Sequence, residues 1–450
     1  MNISFEKLRF KELSNWSISH LLANQFNYNK DYKLERIGNF LIRNKTQVVI
    51  EDDVVYKRVT IRLYNKGIHL RDVEIGKKIG TKKQFLVKKG QFLMSKIDAR
   101  NGAFGIATEE VDEAIITADF FAYDVDGSKI IPQFLVLLTT TQQFQKFAQS
   151  CSSGTTGRQR IDEKSFLDVK IPLPTLKEQE KIIDEYNRNI EKIGSLRYKI
   201  NYYLLKKERL VFQQLGISKS SSSYVDNSIF TTVKYSTLDS WGVNKVLADT
   251  IFESSFFSLK KIGDYCQLIR GVTYSKKSES LKGYKVLRAN NINLDNSLNL
   301  EDIKYISTSE NFSDEKKLKK NDIFICLSSG SKKHIGKSVF ISEDTDFYFG
   351  GFMGAIRIIE PSLNPAYLNA ILNTSIFNDY LSSKIFGANI NNLNSNLLYD
   401  FRIPIPNLNQ QIALVSKMND LDLKIDLLKE EVNNSEREII ANFEKKIFNL

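Results

Sequence analysis

The chain has 450 residues, 42% hydrophobic and 26% charged, a balance that fits a soluble globular protein with room for two ordinary domains. Its formal charge of +11 suits a polyanionic partner, because phosphate neutralisation supplies much of nucleic-acid affinity, although a lysine- and asparagine-rich proteome gives the same excess. No apolar run reaches the ~20 residues of a membrane helix, no basic-then-apolar leader follows Met1, and the isolated Cys151, Cys266 and Cys326 with scattered histidines argue against disulfides and a structural zinc; these absences lead to the expectation of a cytoplasmic protein.

Taken in chain order, the elements occur twice. Leu13, Trp16, Leu22 and Ala23 have counterparts at Leu238, Trp241, Leu247 and Ala248, and Leu34, Ile37 and Gly38 match Leu259, Ile262 and Gly263. Val48 to Leu63 carries the β-branched and aromatic residues of strands, with Tyr56-Lys57 matching Tyr284-Lys285. Lys88 to Leu93 matches Lys319 to Phe324, and Asp322 to Leu327 again reads as a strand. Pro132 to Phe144 and Pro365 to Phe377 read as helices, with proline near the first turn and apolar residues three or four apart.

Each copy closes on the same signal, Asp168-Val169-Lys170-Ile171-Pro172-Leu173-Pro174-Thr175-Leu176 against Asp400-Phe401-Arg402-Ile403-Pro404-Ile405-Pro406-Asn407-Leu408. Pro-x-Pro cannot sit inside a helix or a central strand, so both are extended exits from a domain. Long helical patterns follow. Ile182, Tyr186, Ile193, Leu196, Ile200 and Tyr203 recur at helical spacing, as do Met418, Leu421, Ile425, Leu428, Val432 and Ile439. An amphipathic helix lying on its own domain would show a similar stripe, but two matched helices, one ending each copy, favour an antiparallel pair with each other. About 35 residues give a rod of roughly 50 Å. Ser218 to Ser223 reads as a linker.

A tandem duplication of this length implies two similar domains related by a pseudo-two-fold axis. The expected fold class is α+β, with 1–174 as a first domain, 175–216 as a central spacer helix, 217–406 as a second domain and 407–450 as a C-terminal spacer helix.

Two motifs invite enzymatic readings and fail on context. Gly330 to Ser338 resembles a phosphate-binding loop, but its glycines are one residue too far apart and Val339-Phe340-Ile341 continues as strand where a helix is needed. Asn364-Pro365-Ala366-Tyr367 resembles the Asn-Pro-Pro-Tyr motif of amino-methyltransferases, yet a helix cap by Asn364 accounts for it. With no nucleophile–histidine set, paired carboxylates or metal spacing, the expectation is a chain without a catalytic centre, cofactor or metal of its own.

The loops before the Pro-x-Pro exits are better candidates. Ser152 to Arg160 offers Thr155, Thr156, Arg158 and Arg160; Gly387 to Asn394 offers Asn389, Asn391 and Asn392. Arginine suits guanine edges and asparagine adenine edges, and glycines let backbone approach a ligand. Lys96, Arg100 and Asn101, then Arg270, Lys276, Arg288, Lys332 and Lys333, are further candidates for DNA contact. Each also fits the description of an ordinary solvated surface residue.

Ile171-Pro172-Leu173-Pro174-Thr175-Leu176-Lys177-Glu178-Gln179 and Ile403-Pro404-Ile405-Pro406-Asn407-Leu408-Asn409-Gln410-Gln411 resemble the Pro-x-Pro-x-x-x-Glu-Gln segments that open the spacer helices of type I restriction–modification specificity subunits. Gln410 stands where glutamate is usual. Ser95 to Ala103 and Leu268 to Thr273 resemble recurring segments of the recognition domains of that family. The resemblance implies two target recognition domains, each reading half of an interrupted double-stranded DNA sequence, with helices that set the spacer and dock two methyltransferase subunits. Restriction/motor subunits then join, and S-adenosylmethionine, ATP and Mg belong to those partners. The rival readings are a stand-alone DNA-modifying enzyme and a coiled-coil adaptor that binds proteins.

Overall fold

The computed structural model describes residues 28–153, 160–219, 252–385 and 392–448. The matches around Trp16 and Trp241 lie outside the described residues, as does most of the serine-rich linker. Its first residues, Ser218 and Lys219, are not linker: the strand Ile217–Lys219 pairs antiparallel with Phe252–Ser254. Among the described residues the α-helices are α1 (Pro132–Thr139), α2 (Gln142–Ser150), α3 (Glu163–Asp168), α4 (Leu176–Leu215), α5 (Pro365–Leu372), α6 (Ser375–Ile385), α7 (Ser395–Tyr399) and α8 (Leu408–Phe448). By contacts the chain divides into two units, Met1–Arg197 with Glu430–Leu450, and Tyr198–Lys429.

Each unit holds an antiparallel four-stranded sheet built in the same order. In the first the order is Leu41–Asn44, Phe120–Val125, Phe92–Ser95, Phe104–Ile106; in the second it is Cys266–Arg270, Met353–Ile358, Ile323–Cys326, Ser338–Phe340. The registers match as well: Leu93 faces Ala122 and Phe324 faces Ala355. The turn before the central strand is conserved in geometry. Gly90 (φ 85°) and Asn321 (φ 71°) both take the left-handed conformation, which glycine and asparagine tolerate best. The Lys88 N–H then donates to Gln91, and the Lys319 N–H to Asp322, both at 2.9 Å. The units differ in their second sheet, which has five strands in the first and three in the second.

Helices cover one face of each sheet. Phe134, Phe144, Phe147 and Phe166 fill the first core, and Tyr367, Phe377, Tyr380 and Phe401 the second. The single helices expected over Pro132–Phe144 and Pro365–Phe377 are each broken in two. Buried Thr141 and Thr374 turn their hydroxyls onto the Leu138 and Ile371 carbonyls at 2.7 Å, and Thr141 also accepts the Phe144 N–H, so side chains take over hydrogen bonds that a continuous helix would make.

The Pro-x-Pro segments are edge strands: Leu34 faces Pro172, and Leu259 faces Pro404. Capping boxes then start the long helices. Thr175 exchanges hydrogen bonds with Glu178, and Asn407 with Gln410, whose side-chain oxygen accepts the Asn407 N–H at 3.2 Å. Gln410 therefore does the capping work of a glutamate at that position.

At 40 and 41 residues, α4 and α8 each run for roughly 60 Å, longer than the sequence stripe alone indicated. Within each unit they pack against each other in opposite directions. In the first, Ile182, Ile183 and Tyr186 share a core with Phe443, Ile447 and Phe448, and the Phe443 ring lies 5.9 Å from that of Phe134. Lys192 pairs with Glu431, Arg197 with Glu436 and Glu185 with Lys446. In the second, Val211 and Leu215 meet Leu414 and Met418, and Lys207 pairs with Asp422 at 2.6 Å. The end of α8 thus completes the core of the first unit, not that of the domain it follows in sequence.

Candidate nucleic-acid interface

In both units a backbone hydrogen bond joins two candidate segments that lie far apart in the chain. Ile161 N–H donates to the Lys96 carbonyl at 2.9 Å, and Leu393 N–H to the Leu327 carbonyl at 2.7 Å. Each bond sits where the central strand of the main sheet ends and where the loop before the Pro-x-Pro exit returns. The geometry therefore gathers, at one end of each sheet, residues from 95–103 with Ser152, Ser153 and Arg160 in the first unit, and residues from 327–337 with Asn392 to Asn394 in the second. Thr155, Thr156, Arg158, Asn389 and Asn391 lie outside the described residues.

In the first unit, Lys96 places its ammonium 4.5 Å from the centre of the Phe121 ring and makes no ion pair with a described residue, so its charge is available to a phosphate. Arg160 faces Ser153 across a short ladder and pairs with Asp119 at 3.3 Å. Arg100 is half-buried in the turn Ala99–Asn101, and the Asn101 carbonyl accepts the Tyr64 N–H at 2.7 Å. A further cation was not singled out in sequence. Arg43 lies 4.1 Å over Phe121 and 5.4 Å from Tyr123, with Glu163 at 3.6 Å. Among the described residues its Nε and Nη1 are buried without hydrogen-bond partners, and burial lowers its pKa against the pull of Tyr123 and Glu163. The repeat held the clue, since the matching position is the apolar Leu268: Leu41 and Cys266 open the paired strands.

In the second unit an open cleft of about 870 Å³ lies beside this junction. Its walls come from four separate segments, including Tyr274, Arg288, Asn290, Ser329, His334 and Phe352. Gly271 makes it possible: a Cβ there would sit 2.2 Å from the Gly350 carbonyl oxygen, and the adjacent Val272 N–H donates to Phe349 at 2.7 Å. The Asp302 carboxylate accepts from both Arg288 (2.8 Å) and Asn290 (2.7 Å), fixing both side chains on the wall. Burial, and then Lys337, hold the His334 imidazole below its usual range, so at neutral pH it presents a neutral donor and acceptor. Phe352 is 72% exposed, an aromatic face open to a stacking partner.

Arg270 reaches Ser395 at 3.5 Å, and Asn392 bridges Ser328 on the cleft wall. Lys332 and the exposed Lys333 belong to the turn that carries His334. Lys276 is exposed on the separate turn Lys276–Ser278 and does not line the cleft.

The two enzyme-like motifs resolve into structure. After the glycine-rich segment comes the strand Ser338–Phe340, and Lys337 is turned inward, donating to the Ile292 carbonyl. Asn364 caps α5 by accepting the Tyr367 N–H at 3.1 Å, and the buried Tyr367 hydroxyl donates to Pro404 at 2.6 Å. Among the described residues there is no group of three or more His, Cys, Asp or Glu able to hold a metal, and no helix is long and apolar enough to cross a membrane.

Comparison with known proteins agrees with this architecture. The type I restriction enzyme MjaVIII specificity subunit of Methanocaldococcus jannaschii is 23% identical over 441 residues, covering 94% of this chain and 92% of that protein. The StySPI specificity subunit of Salmonella potsdam is 34% identical over 167 residues, so that match spans about a third of each protein (36% and 35%). A solved structure described as addressing complex assembly and conformational transition of the type I R-M system shares the fold, with TM-score 0.53 at 13% identity over 94% of this chain and 99% of that one. The family model described as type I restriction modification DNA specificity domain matches twice, over residues 29–202 and 256–436, and the chain therefore belongs to that family.

Proposed function

We propose that this chain is the DNA-specificity subunit of a type I restriction–modification complex, that its domains each bind one half of an interrupted duplex sequence, and that it carries no catalytic centre. One observation carries the reading. The same strand-end junction recurs in both units with the same backbone bond, Ile161 to Lys96 and Leu393 to Leu327, while the side chains around it differ. Equivalent placement with unlike chemistry is what two readers of unlike half-sites require. In this reading Lys96, Arg160 and residues 154–159 serve one half-site. Arg270, Asn290, His334, Lys333 and residues 386–391 serve the other.

Methylation with S-adenosylmethionine and ATP- and Mg-dependent cleavage then belong to two methyltransferase subunits and the restriction/motor subunits. The α4–α8 pair sets the base-pair gap between half-sites and docks the methyltransferases. Fluorescence anisotropy on labelled duplex across a salt series tests the DNA reading. The expected result is affinity that falls linearly in log–log form with salt, with a residual sequence preference. Salt-independent association, or binding of S-adenosylmethionine by the purified chain in calorimetry, would contradict it.

A further inference from the structure

Phe352, on the wall of the second unit's cleft, has no aromatic counterpart in the first unit. Leu93 faces Ala122 and Phe324 faces Ala355, so Phe352, three residues ahead of its alanine, stands where the first unit has Asp119. Asp119 is paired with Arg160 at 3.3 Å, whereas Phe352 is 72% exposed. A lone exposed apolar side chain needs no explanation, but this one borders a cleft of about 870 Å³ that also holds Tyr274, Asn290 and His334. That volume falls within the roughly 300–1,000 Å³ of small-ligand clefts. Asn290 is exposed, and its amide nitrogen is tied to Asp302 at 2.7 Å. Among the described residues that tie leaves the Asn290 carbonyl oxygen and its second amide hydrogen to a ligand, an acceptor and a donor side by side. A stacked duplex is read by helices or ribbons that protrude into its groove. A concave site with an exposed ring and an adjacent donor and acceptor suits instead a base taken out of the stack, which offers a π-face and a free pairing edge.

We propose that this cleft takes one base of the bound duplex, swung out of its stack, with Phe352 against its face and Asn290 on its pairing edge. The proposal rests on the function proposed above and gives the second half-site a mode of reading that the first does not share. Arg288, held by Asp302 at 2.8 Å, lines the cleft, and the exposed Lys333 lies on the turn that carries His334, so cations stand where the backbone of a displaced nucleotide must run. A fixed asparagine amide bonds the neighbouring donor and acceptor of a base edge. In the first unit the Asp119–Arg160 pair at the Phe352 position offers no ring, and the bases of that half-site are read stacked. Drawing a base out of the duplex costs least where it is already mispaired. The cleft therefore makes binding tighter, not weaker, when pairing is lost at the one position that it captures.

The test measures, by fluorescence anisotropy, binding of the full chain to the duplex that the intact complex selects and to duplexes carrying one mispair at each half-site position in turn. A mispair at the captured position should tighten binding about 10-fold or more, and only in the half-site read by the second unit. Phe352→Ala should weaken binding to the matched duplex at least about 5-fold and abolish the gain from the mispair. Phe352→Trp, which keeps a ring, should retain both, and so separates loss of stacking from a disturbed fold. Mispairs that tighten binding nowhere in the second half-site, a gain that persists in Phe352→Ala, or matched-duplex affinity unchanged in Phe352→Ala would each overturn the proposal and leave the proposed function standing. Binding of AMP, GMP, CMP or TMP that Phe352→Ala removes, with no mispair effect, would assign the cleft to a free nucleotide and overturn it as well. A wild-type chain without salt-dependent DNA affinity would overturn both.

Discussion

Gln179 accepts the Ile131 backbone N–H at 2.8 Å, and its amide nitrogen donates to the carbonyls of Lys129 and Pro174 at 3.0 and 2.9 Å. Gln411 repeats this pattern with Asn364, Ser362 and Pro406, and both glutamines are 0% exposed. One buried side chain thus ties three things together in each copy: the Pro-x-Pro exit, the start of the long helix, and the start of the first core helix. Gln179→Ala leaves these backbone groups without partners in a place water does not reach. Each unsatisfied group costs about 1–3 kcal/mol, so the expected loss is at least about 2 kcal/mol. Chemical unfolding against the exposed-site control Gln213→Ala measures it, and equal effects would contradict this role.

Gln410 carries a second expectation. Because its side-chain oxygen already caps the Asn407 N–H, Gln410→Glu keeps the box and adds a negative charge at the positive end of the helix. Thermal unfolding should show no loss, and a gain of up to about 1 kcal/mol at low salt. Asn407→Ala should cost about 0.5–2 kcal/mol. A clear loss in Gln410→Glu would show that the amide nitrogen, not the oxygen, matters there.

The strand-start polar pairs predict an asymmetry between the copies. Asp322 is buried and holds Arg357 through two hydrogen bonds, at 2.8 and 2.7 Å. That contact raises the arginine pKa, led by the hydrogen bond to Asp322. In the first unit the matching pair is Gln91 with Asp124 at 2.8 Å, and Asp124 is exposed. Asp322→Ala strands a largely buried cation and should cost about 3–5 kcal/mol. Gln91→Ala should cost less, since Asp124 can turn to water. Unfolding curves in urea that show the reverse order would refute the assignment.

Asp295 gives a pH-dependent prediction. Burial pushes its carboxyl up, but hydrogen bonds from Lys429 (2.6 Å) and Ser297 outweigh burial and hold it at about 2. An unfolded aspartate titrates near ~3.9. A group depressed in the folded state contributes stability above that value and loses it as pH falls through the folded value. The tie between the 293–297 turn and α8 should therefore persist at pH 5 and fail between roughly pH 4 and 2. Carbon-13 NMR titration of the Asp295 carboxyl should give a midpoint near 2, moving up in Lys429→Met. An ordinary midpoint in both proteins would contradict the contact.

On the proposed DNA reading, phosphate and base contacts separate experimentally. Lys96→Ala and Lys333→Ala should weaken binding about equally on all sequences and lower the salt slope by about 1. Asn290→Ala should instead relax one base position, with about 1–3 kcal/mol of discrimination lost there. Anisotropy on a panel of single-base variants distinguishes the two, and identical profiles for all three would reject the division.

Much of the architecture was legible in the sequence because it rests on local rules. Pro172 and Pro404 marked extended exits, Asn364 a helix cap, and the apolar stripes the paired helices. The break in each core helix was not, because the apolar spacing runs on through it while Thr141 and Thr374 divert hydrogen bonds with their side chains. Arg43 was not singled out, since the rings and carboxylate around it come from Phe121, Tyr123 and Glu163, far along the chain. The cleft was legible only in part: Arg288 stood out as basic, but Tyr274, His334 and Phe352 meet it only after four segments fold together.

The central claim is that each domain reads its own half-site. Sequencing duplexes selected from a random library by the intact complex, for the wild type and for a variant whose residues 256–406 come from another family member, tests it most directly. The account predicts two short motifs at a fixed gap, with the exchange altering only one of them. A single contiguous motif, or an exchange that rewrites both halves or neither, would contradict it.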